Sequence, residues 1–173
     1  MIDAHSRPIK RIADSRSATS VLMGPQDANV LGNVHGGVIM KMVDEAGALV
    51  AIRHANLLCV TVAIDSMTFM ESIRVGNLVT CKGELTYVGR TSMEVRVAVI
   101  AEDLLTGASK VTNSAYLVYV ALDLHGNKSV VPELLYETRE EQLRAEQARE
   151  RQAFRKQQRE REKHFTQEMI PIP

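Results

Sequence analysis

An acidic residue within an apolar segment is the first feature of this sequence that could do chemistry. Asp44 lies among Val43, Ala46 and other apolar residues. A carboxylate in such surroundings is costly unless it is paired or functional. One interpretation is therefore a functional carboxylate. The other is structural: Asp44 or Glu45 caps another element or pairs with Lys41 at helical spacing, and the pattern alone leaves both interpretations open.

Three residues just before this segment, His35, Gly36 and Gly37, could serve a reacting carbonyl group. They stand where a long helix is predicted to begin, and a helix start has free backbone N–H groups and a positive dipole end. Glycine lets a ligand approach that backbone closely, which would suit an oxyanion hole. The alternative is that the glycine pair only allows a tight turn into the helix. His35 could likewise contact a substrate or stabilise the loop.

The segment that carries Asp44 is predicted to form one long helix over residues 37 to about 54. It lacks β-like alternation, and apolar residues occur all round it, so this helix should be buried on most sides. Small residues at 46–48 would let a sheet approach closely. Arg53 and His54 stand at its end, where the helix dipole favours cations.

Alternating apolar and polar residues predict one short strand before the helix and four strands after it. In the second of these four, Val79, Cys81, Leu85 and Tyr87 are expected on one face of the sheet. This order predicts an α+β fold in which a mostly antiparallel sheet wraps one helix. The predicted strands are residues 17–23, 58–70, 78–88, 92–102 and 109–123.

The last part of the chain has a different character. Residues 137–163 are almost all Glu, Arg, Lys, Gln and Ala, which favour helix, and Leu143 and Phe154 are nearly their only large apolar residues. This second helix is expected to project as a solvated arm or to pack on a neighbouring subunit. The predicted division is an N-terminal extension (1–16), a globular domain (17–130) and a charged helical extension (131–173).

The charge balance argues against nucleic acid as the main partner. The chain has 173 residues, with 21 Lys and Arg against 21 Asp and Glu, and its formal net charge is +0. No basic excess is present to neutralise phosphates, although a local basic patch for a small anionic ligand remains open. Aromatic residues make up 4% of the chain and Trp is absent, so base-stacking surfaces are not expected.

Cysteine usage and the N-terminal sequence indicate which cofactors and which compartment to expect. Cys59 and Cys81 lack C-x-x-C spacing and are interpreted as small buried residues on strands. No disulfide framework, zinc site or cofactor is expected. The first 20 residues carry charges and no apolar signal segment, and no run of about eighteen apolar residues occurs. We therefore expect a cytoplasmic protein without a membrane span.

A long motif at residues 29–47, NVLGNVHGGVIMKMVDEAG, joins these candidate residues into one pattern. It resembles the signature of the hotdog-fold acyl-CoA thioesterases, in the cytosolic acyl-CoA hydrolase branch. The resemblance continues through TVAIDSMTF, VGNLV and GRTSMEV and covers roughly residues 17–123. It implies the α+β hotdog fold and hydrolysis of a fatty-acyl-CoA to the free fatty acid and CoA.

The resemblance also implies roles for individual residues. Asp44 takes the position of the family's general base or nucleophile, and Asn29 that of the asparagine that orients the water or the thioester. A glycine N–H at the helix start, assigned to Gly37, polarises the thioester carbonyl, with His35 and Gly36 as neighbouring substrate contacts. The CoA pyrophosphate or nucleotide is expected near three further residues, Arg90, Thr91 and Ser92.

The spacing of Gly37 and Asp44 predicts a site shared between two protomers. Seven residues correspond to roughly 10 Å along a helix axis, so both should not reach one carbonyl within a protomer. If two copies pair about a two-fold axis with antiparallel helices, Asn29 and Gly37 of one meet Asp44 of the other. The resemblance agrees, because it implies an obligate homodimer, often assembled into tetramers or hexamers.

Three other functions are open. A hydratase or dehydratase of the same fold would need a histidine base and a carboxylic acid, which His35 and Glu45 could supply. A second alternative is an acyl-CoA-binding regulator, although the residues before the first strand are too few for a DNA-binding helix-turn-helix. The third is a purely structural dimer module.

Overall fold

The computed structural model describes residues 7–168, with side chains up to residue 162. Within these residues, two helices and seven strands form, in an order that confirms the predicted α+β architecture. Three-residue 3₁₀ turns occur at Ile12–Asp14 and Pro25–Asp27. The elements are β1 (Ile9–Arg11), β2 (Ser17–Leu22), α1 (Gly36–Ala55), β3 (Leu58–Phe69), β4 (Asn77–Val88), β5 (Ser92–Asp103), β6 (Ser109–Leu122), β7 (Glu133–Leu135) and α2 (Arg139–Glu168).

Five antiparallel strands form the main sheet in the order β2-β4-β5-β6-β3. Alternate residues of β5, such as Met93, Val95 and Val97, are fully buried on the face that holds α1. The face opposite α1 is called the outer face below. Because β3 is the last strand of this order, one of its edges forms no pair in the described part of the chain.

Glycines allow α1 to lie close against the sheet, as the small residues at 46–48 predict. A Cβ added at Gly47 would stand 2.4 Å from the hydroxyl of Tyr119, and one added at Gly83 would stand 2.8 Å from Val50 Cγ2. Neither distance is compatible with a side chain, so both positions need glycine for packing.

The C-terminal end of α1 differs from the predicted arrangement. His54 is fully buried, Nε2–H donates to the carbonyl of Pro132 at 3.0 Å, and burial lowers the pKa of the ring. This histidine therefore favours its neutral form and is not the cation expected beside the helix dipole. Lys10 supplies that charge instead, since its Nζ donates to the carbonyl of His54 at 2.7 Å.

One side of α1 is open, which corrects the expectation of a helix buried on most sides. Met40, Leu49 and Ile52 are 44%, 43% and 38% exposed. Ile64 of the edge strand β3, the cross-strand partner of the core residue Leu117, is also exposed. We call these four residues the apolar strip. A single protomer leaves them uncovered, and exposed apolar surface of this kind is available to an interaction partner.

The two flanking segments meet beside the sheet. Strand β1 pairs in parallel with β7, with Ile9 opposite Glu133. The guanidinium of Arg7 donates to the carbonyl of Val131 at 2.7 Å and to that of Gly89 at 2.6 Å. These bonds tie residues of the N-terminal and C-terminal extensions to the turn between β4 and β5.

Helix α2 packs on the outer face of its own sheet, so the expectation of a projecting solvated arm is wrong, while packing on a neighbouring subunit stays a prediction. Ala145 and Ala148 are buried there, and charged residues add ion pairs to the sheet. Arg151 donates to Glu94 Oε1 at 2.7 Å, and Arg155 pairs with both Glu94 and Asp65. The helix needs few large apolar residues because its arginines meet carboxylates on the outer face; Leu143 and Phe154 stay exposed.

Tyr87 is also placed differently from its prediction. A register irregularity between Leu85 and Tyr87 interrupts the alternation of β4. Tyr87 thus pairs with Glu94 on the outer face, under Arg149 of α2, and does not join Val79 in the core.

The remaining predictions about burial concern the two thiols and the membrane. Cys81 is fully buried as predicted, and Cys59 is half-buried on β3. Burial raises the pKa of each thiol to about 11. Among residues 7–168, no helix is both long and apolar enough to cross a bilayer.

Candidate active site

Asp44 projects from the middle of α1 toward strands β3 and β6. The hydroxyl of Thr61 donates to Asp44 Oδ1 at 2.6 Å, and the hydroxyl of Tyr119 lies 3.3 Å from the same oxygen. Lys41 pairs with Glu45 and not with Asp44: its Nζ lies 3.7 Å from Glu45 Oε1. Oδ2 of Asp44 has no hydrogen-bond partner among the described residues, so it can accept a proton.

Tyr119 fixes the backbone as well as the carboxylate. Its hydroxyl donates to the main-chain carbonyl of Asp44 at 2.8 Å. Burial raises the pKa of Tyr119 well above its usual value, with the charge of Asp44 acting in the same direction, so the hydroxyl remains a donor. The sequence prediction missed both Thr61 and Tyr119. They are cross-strand partners in the β3–β6 register, and that register was the signal needed to find them.

Asn29 lies in the loop before α1 and uses only part of its side chain there. Its Oδ1 accepts from the N–H of Leu31 at 2.8 Å and from that of Asn33 at 3.3 Å. Its backbone N–H donates to the carbonyl of Asn33 at 2.7 Å. These bonds fix the loop and leave the Nδ2 group without a partner in the described residues, so this amide can donate to a ligand.

His35 is the N-cap of α1. Its Nδ1 accepts from the N–H of Gly37 at 2.9 Å, which is the loop-stabilising arrangement considered for it. The N–H of Gly36 donates to no group in residues 7–168. The free donor at the helix start is therefore the N–H of Gly36, while that of Gly37 is held by the cap.

Asn29 and Gly36 face a common cavity of about 330 Å³, together with Phe69 and Asn113. A Cβ on Gly36 would stand 3.3 Å from the ring of Phe69. Asp44 does not line this cavity. Within one protomer, the structure thus brings together Asn29 and the helix start but not the carboxylate.

The residues expected near the CoA pyrophosphate, Arg90, Thr91 and Ser92, lie at the turn between β4 and β5. Arg90 is exposed, and its carbonyl accepts from the N–H of Val131 at 3.0 Å. Thr91 and Ser92 line a groove between the outer face and α2. These residues are separated by the sheet from Asp44, which is on the α1 face.

Comparison with known proteins identifies the family of this chain. The family model described as Thioesterase superfamily matches residues 31–108. The human cytosolic acyl coenzyme A thioester hydrolase is 39% identical over 132 residues, which cover 72% of this chain and 35% of that protein. The chain thus spans about a third of the length of this curated relative.

Solved structures match over nearly their whole length. An apo-hexameric acyl-CoA thioesterase has a TM-score of 0.84 and 38% identity, covering 87% of this chain and 97% of that one. An acyl-CoA hydrolase from Staphylococcus aureus, in complex with butyryl coenzyme A, coenzyme A and coenzyme A disulfide, has a TM-score of 0.84 and 30% identity, covering 92% and 98%. The chain therefore belongs to the hotdog-fold thioesterase superfamily, in the branch of the acyl-CoA thioesterases.

Proposed function

We propose that this protein hydrolyses fatty-acyl-CoA thioesters to the free acid and CoA. The observation that carries the proposal is the geometry at Asp44, where Thr61 holds one carboxylate oxygen at 2.6 Å and the other has no partner among the described residues. A positioned carboxylate with a free oxygen can remove a proton from water. The resemblance to acyl-CoA thioesterases supplies the substrate class.

The reaction follows from the donors and acceptors around the site. Asp44 accepts a proton from water while the water oxygen attacks the thioester carbonyl; in the alternative route, its carboxylate attacks first and water then hydrolyses the anhydride. N–H groups at the helix start, from Gly36 and from Gly37 when the cap opens, donate to the developing oxyanion. Asn29 Nδ2 orients the water or the thioester, and the CoA thiolate leaves as the intermediate collapses.

We further propose that two protomers build each site. Asn29 and Gly36 share a cavity that Asp44 does not line, and Glu71, the carboxylate that lines it, is paired with Lys110. The carboxylate that activates water would therefore come from a second protomer. The apolar strip on α1 and the open edge of β3 supply a surface for a second copy. Pairing there would bring Asp44 of the partner subunit to the cavity. The dimer is the minimum unit, with a tetramer or hexamer built from it, as in the hexameric neighbour.

Other functions are less well supported by the same residues. A hydratase would need His35 as base and Glu45 as acid, but Nδ1 of His35 is occupied by the helix cap and Glu45 pairs with Lys41. A regulator would bind acyl-CoA without turnover.

The compartment is proposed to be the cytosol, after the name of the human relative, and fractionation of cells that express the tagged chain would test this.

A thiol-release assay over acyl-CoAs from acetyl to palmitoyl tests the proposal. We expect turnover that depends on chain length, and a loss of kcat by about 10²–10⁴ in Asp44→Asn, the usual scale for loss of a general base. Glu45→Gln is the matched control, because that neighbouring carboxylate is exposed and pairs with Lys41. Binding of acyl-CoA without thiol release by the wild type would instead identify a regulator.

A further inference from the structure

Asn113 of β6 is a polar residue at a position where the sheet is otherwise apolar. It follows the same alternation as Ala115, Leu117 and Tyr119, which are buried on the face that holds α1, and it is itself fully buried. Its partner on β5 is Val99, and a register irregularity in the β5–β6 pairing begins directly after that pair. Irregularities of this kind redirect side chains and are frequent beside active sites.

One half of the Asn113 amide is bonded and the other half is not. Its Nδ2 donates to the carbonyl of Thr68 at 3.1 Å. Because a carbonyl can only accept, this bond fixes which end of the amide is the nitrogen. Its Oδ1 is buried and has no hydrogen-bond partner among the described residues. An unpaired buried acceptor lowers stability, and an apolar side chain would avoid that cost, so the free oxygen indicates a ligand.

The side chain of Asn113 lines the same cavity as Asn29 and Gly36. In the β3–β6 register Asn113 pairs with Phe69, and the ring of Phe69 faces Gly36. Of the polar side chains that line this cavity, that of Asn113 is fully buried, whereas that of Ser72 is exposed. The cavity volume is about 330 Å³, and one water molecule takes roughly 30 Å³ of liquid, so a water fits there beside a thioester.

We propose that Asn113 is a further catalytic residue, whose Oδ1 accepts a hydrogen bond from the water that attacks the thioester; this rests on the proposed function. A water molecule has two O–H donors and two lone pairs. Asp44 of the partner subunit accepts from one O–H, and Asn113 accepts from the other. Asn29 Nδ2, which has no partner in the described chain, donates to one lone pair. The remaining lone pair is directed at the thioester carbon.

The protons and bonds of this step balance without a further reactant. As the new C–O bond forms, one proton of the water passes to Asp44, and the other stays on the new hydroxyl group, which still donates to Asn113. Collapse of the intermediate breaks the C–S bond, and the CoA thiolate takes the proton from Asp44, which restores the carboxylate. Because three of the four directions of the water are fixed beforehand, attack needs little reorientation.

Asn113→Leu tests this role, because leucine has a similar size and cannot accept a hydrogen bond. In thiol-release assays we expect kcat to fall by about 10- to 100-fold with little change in KM, since the lost contact is to water and not to acyl-CoA. The same factor is expected for every acyl chain from acetyl to palmitoyl. The urea midpoint should change little, because the lost bond to Thr68 is offset by removal of an unpaired acceptor.

Thr112→Val is the matched control. This neighbour is equally buried and its hydroxyl donates to the carbonyl of Val99 at 3.4 Å, but it does not line the cavity. Its kcat should stay within twofold of the wild type. If Asn113→Leu does not fold, Asn113→Val serves in its place, because valine is smaller and suits a strand.

Asn113→Asp retains an acceptor oxygen at the same position. Burial favours the neutral carboxyl group, whose O–H can donate to Thr68 as the amide does. We therefore expect Asn113→Asp to recover most of the activity that Asn113→Leu loses. A purely structural role would not produce this difference in kcat between two variants of similar size.

Three results would overturn the proposal. The first is a wild-type kcat in Asn113→Leu, and the second is an equal loss in Asn113→Leu and Asn113→Asp. The third is a loss confined to acyl-CoAs that carry a hydroxyl on the acyl chain, because the acceptor would then serve the substrate and not the water. Turnover by the wild type and by Asn113→Leu at one rate removes only this role, whereas absence of thiol release by the wild type removes the thioesterase function as well.

Discussion

At the scale of single residues, the two oxygens of Asp44 have different surroundings. Oδ1 accepts a hydrogen bond of 2.6 Å from Thr61 and faces Tyr119, whereas Oδ2 has no partner in the described chain. The bound oxygen fixes the orientation of the carboxylate, and the other is left for the reaction. Substitutions that remove only the hydrogen bond to Oδ1 should therefore lower the turnover rate more than they weaken substrate binding.

Thr61→Val tests this arrangement, because valine keeps the shape and removes the hydroxyl. A hydrogen bond to a charged group contributes about 1.5–3 kcal/mol, so we expect kcat to fall by about 10- to 100-fold with little change in KM. Thr61→Ser retains the donor and should keep most of the activity. A Thr61→Val enzyme within twofold of the wild type would show that the hydroxyl does not position the carboxylate.

The sequence predicts only those site residues whose chemistry is visible locally. Asp44 is conspicuous because it interrupts an apolar helix, and Asn29 because it belongs to a continuous motif. Thr61 and Tyr119 come from strands 17 and 75 residues away from Asp44 in the chain. Their role depends on strand register, which alternating patterns do not specify across long separations.

At the scale of elements, α2 is held against the sheet by ion pairs between its arginines and a buried glutamate of β5. Glu94 is 2% exposed and bonds to Arg151, Arg155 and the hydroxyl of Thr86. Alternation along β5 predicts strands but does not reveal that the polar position Glu94 anchors a helix. The bounds of the main strands and of α1 were predictable to within one or two residues because periodicity is local, whereas the docking of α2 depends on distant ion pairs.

Glu94→Gln should loosen α2. The substitution leaves Arg151 and Arg155 facing a neutral amide. Removing one partner of a buried ion pair lowers the free energy of unfolding by about 3–5 kcal/mol. Because the two arginine side chains are 25% and 15% exposed, we expect a smaller loss of about 2 kcal/mol here. Chemical denaturation and limited proteolysis of residues 139–162 would measure the effect. Glu140→Gln is the control, since that carboxylate is exposed and its pair with Arg144 contributes little. Equal stability of the two variants would contradict this role.

His54 makes the stability of the α1 end depend on pH. Burial lowers the pKa of the folded ring, so below about pH 6.5 the unfolded chain takes up a proton that the folded chain refuses. The free energy of unfolding should therefore be fully retained above that pH and fall as the pH drops through it.

Urea midpoints between pH 5 and pH 8 provide the measurement for His54. The midpoint of His54→Gln should vary less over this range than that of the wild type, whereas the exposed His125→Gln should follow the wild type. Identical pH profiles of wild type and His54→Gln would exclude the buried ring as the cause.

At the scale of the whole molecule, the protomer is incomplete in two related ways. The apolar strip is uncovered. The cavity at Asn29 lacks Asp44, and the carboxylate that does line it, Glu71, is paired with Lys110. A two-fold pair of protomers would resolve both, because an isologous interface buries the same strip twice and forms two equivalent sites. The roughly 10 Å between Gly37 and Asp44 along α1 motivated this prediction from sequence, since helical rise is independent of tertiary context.

Subunit exchange between Asn29→Ala and Asp44→Ala proteins tests the shared site most directly. Each variant alone should be inactive. In a heterodimer, one site carries both substitutions and the other carries neither. Equal mixing should therefore restore about a quarter of wild-type activity, because half of the dimers are mixed and each holds one intact site. If mass spectrometry verifies the heterodimers and thiol release is still absent, the two residues do not complement each other across protomers, and the shared-site account is contradicted.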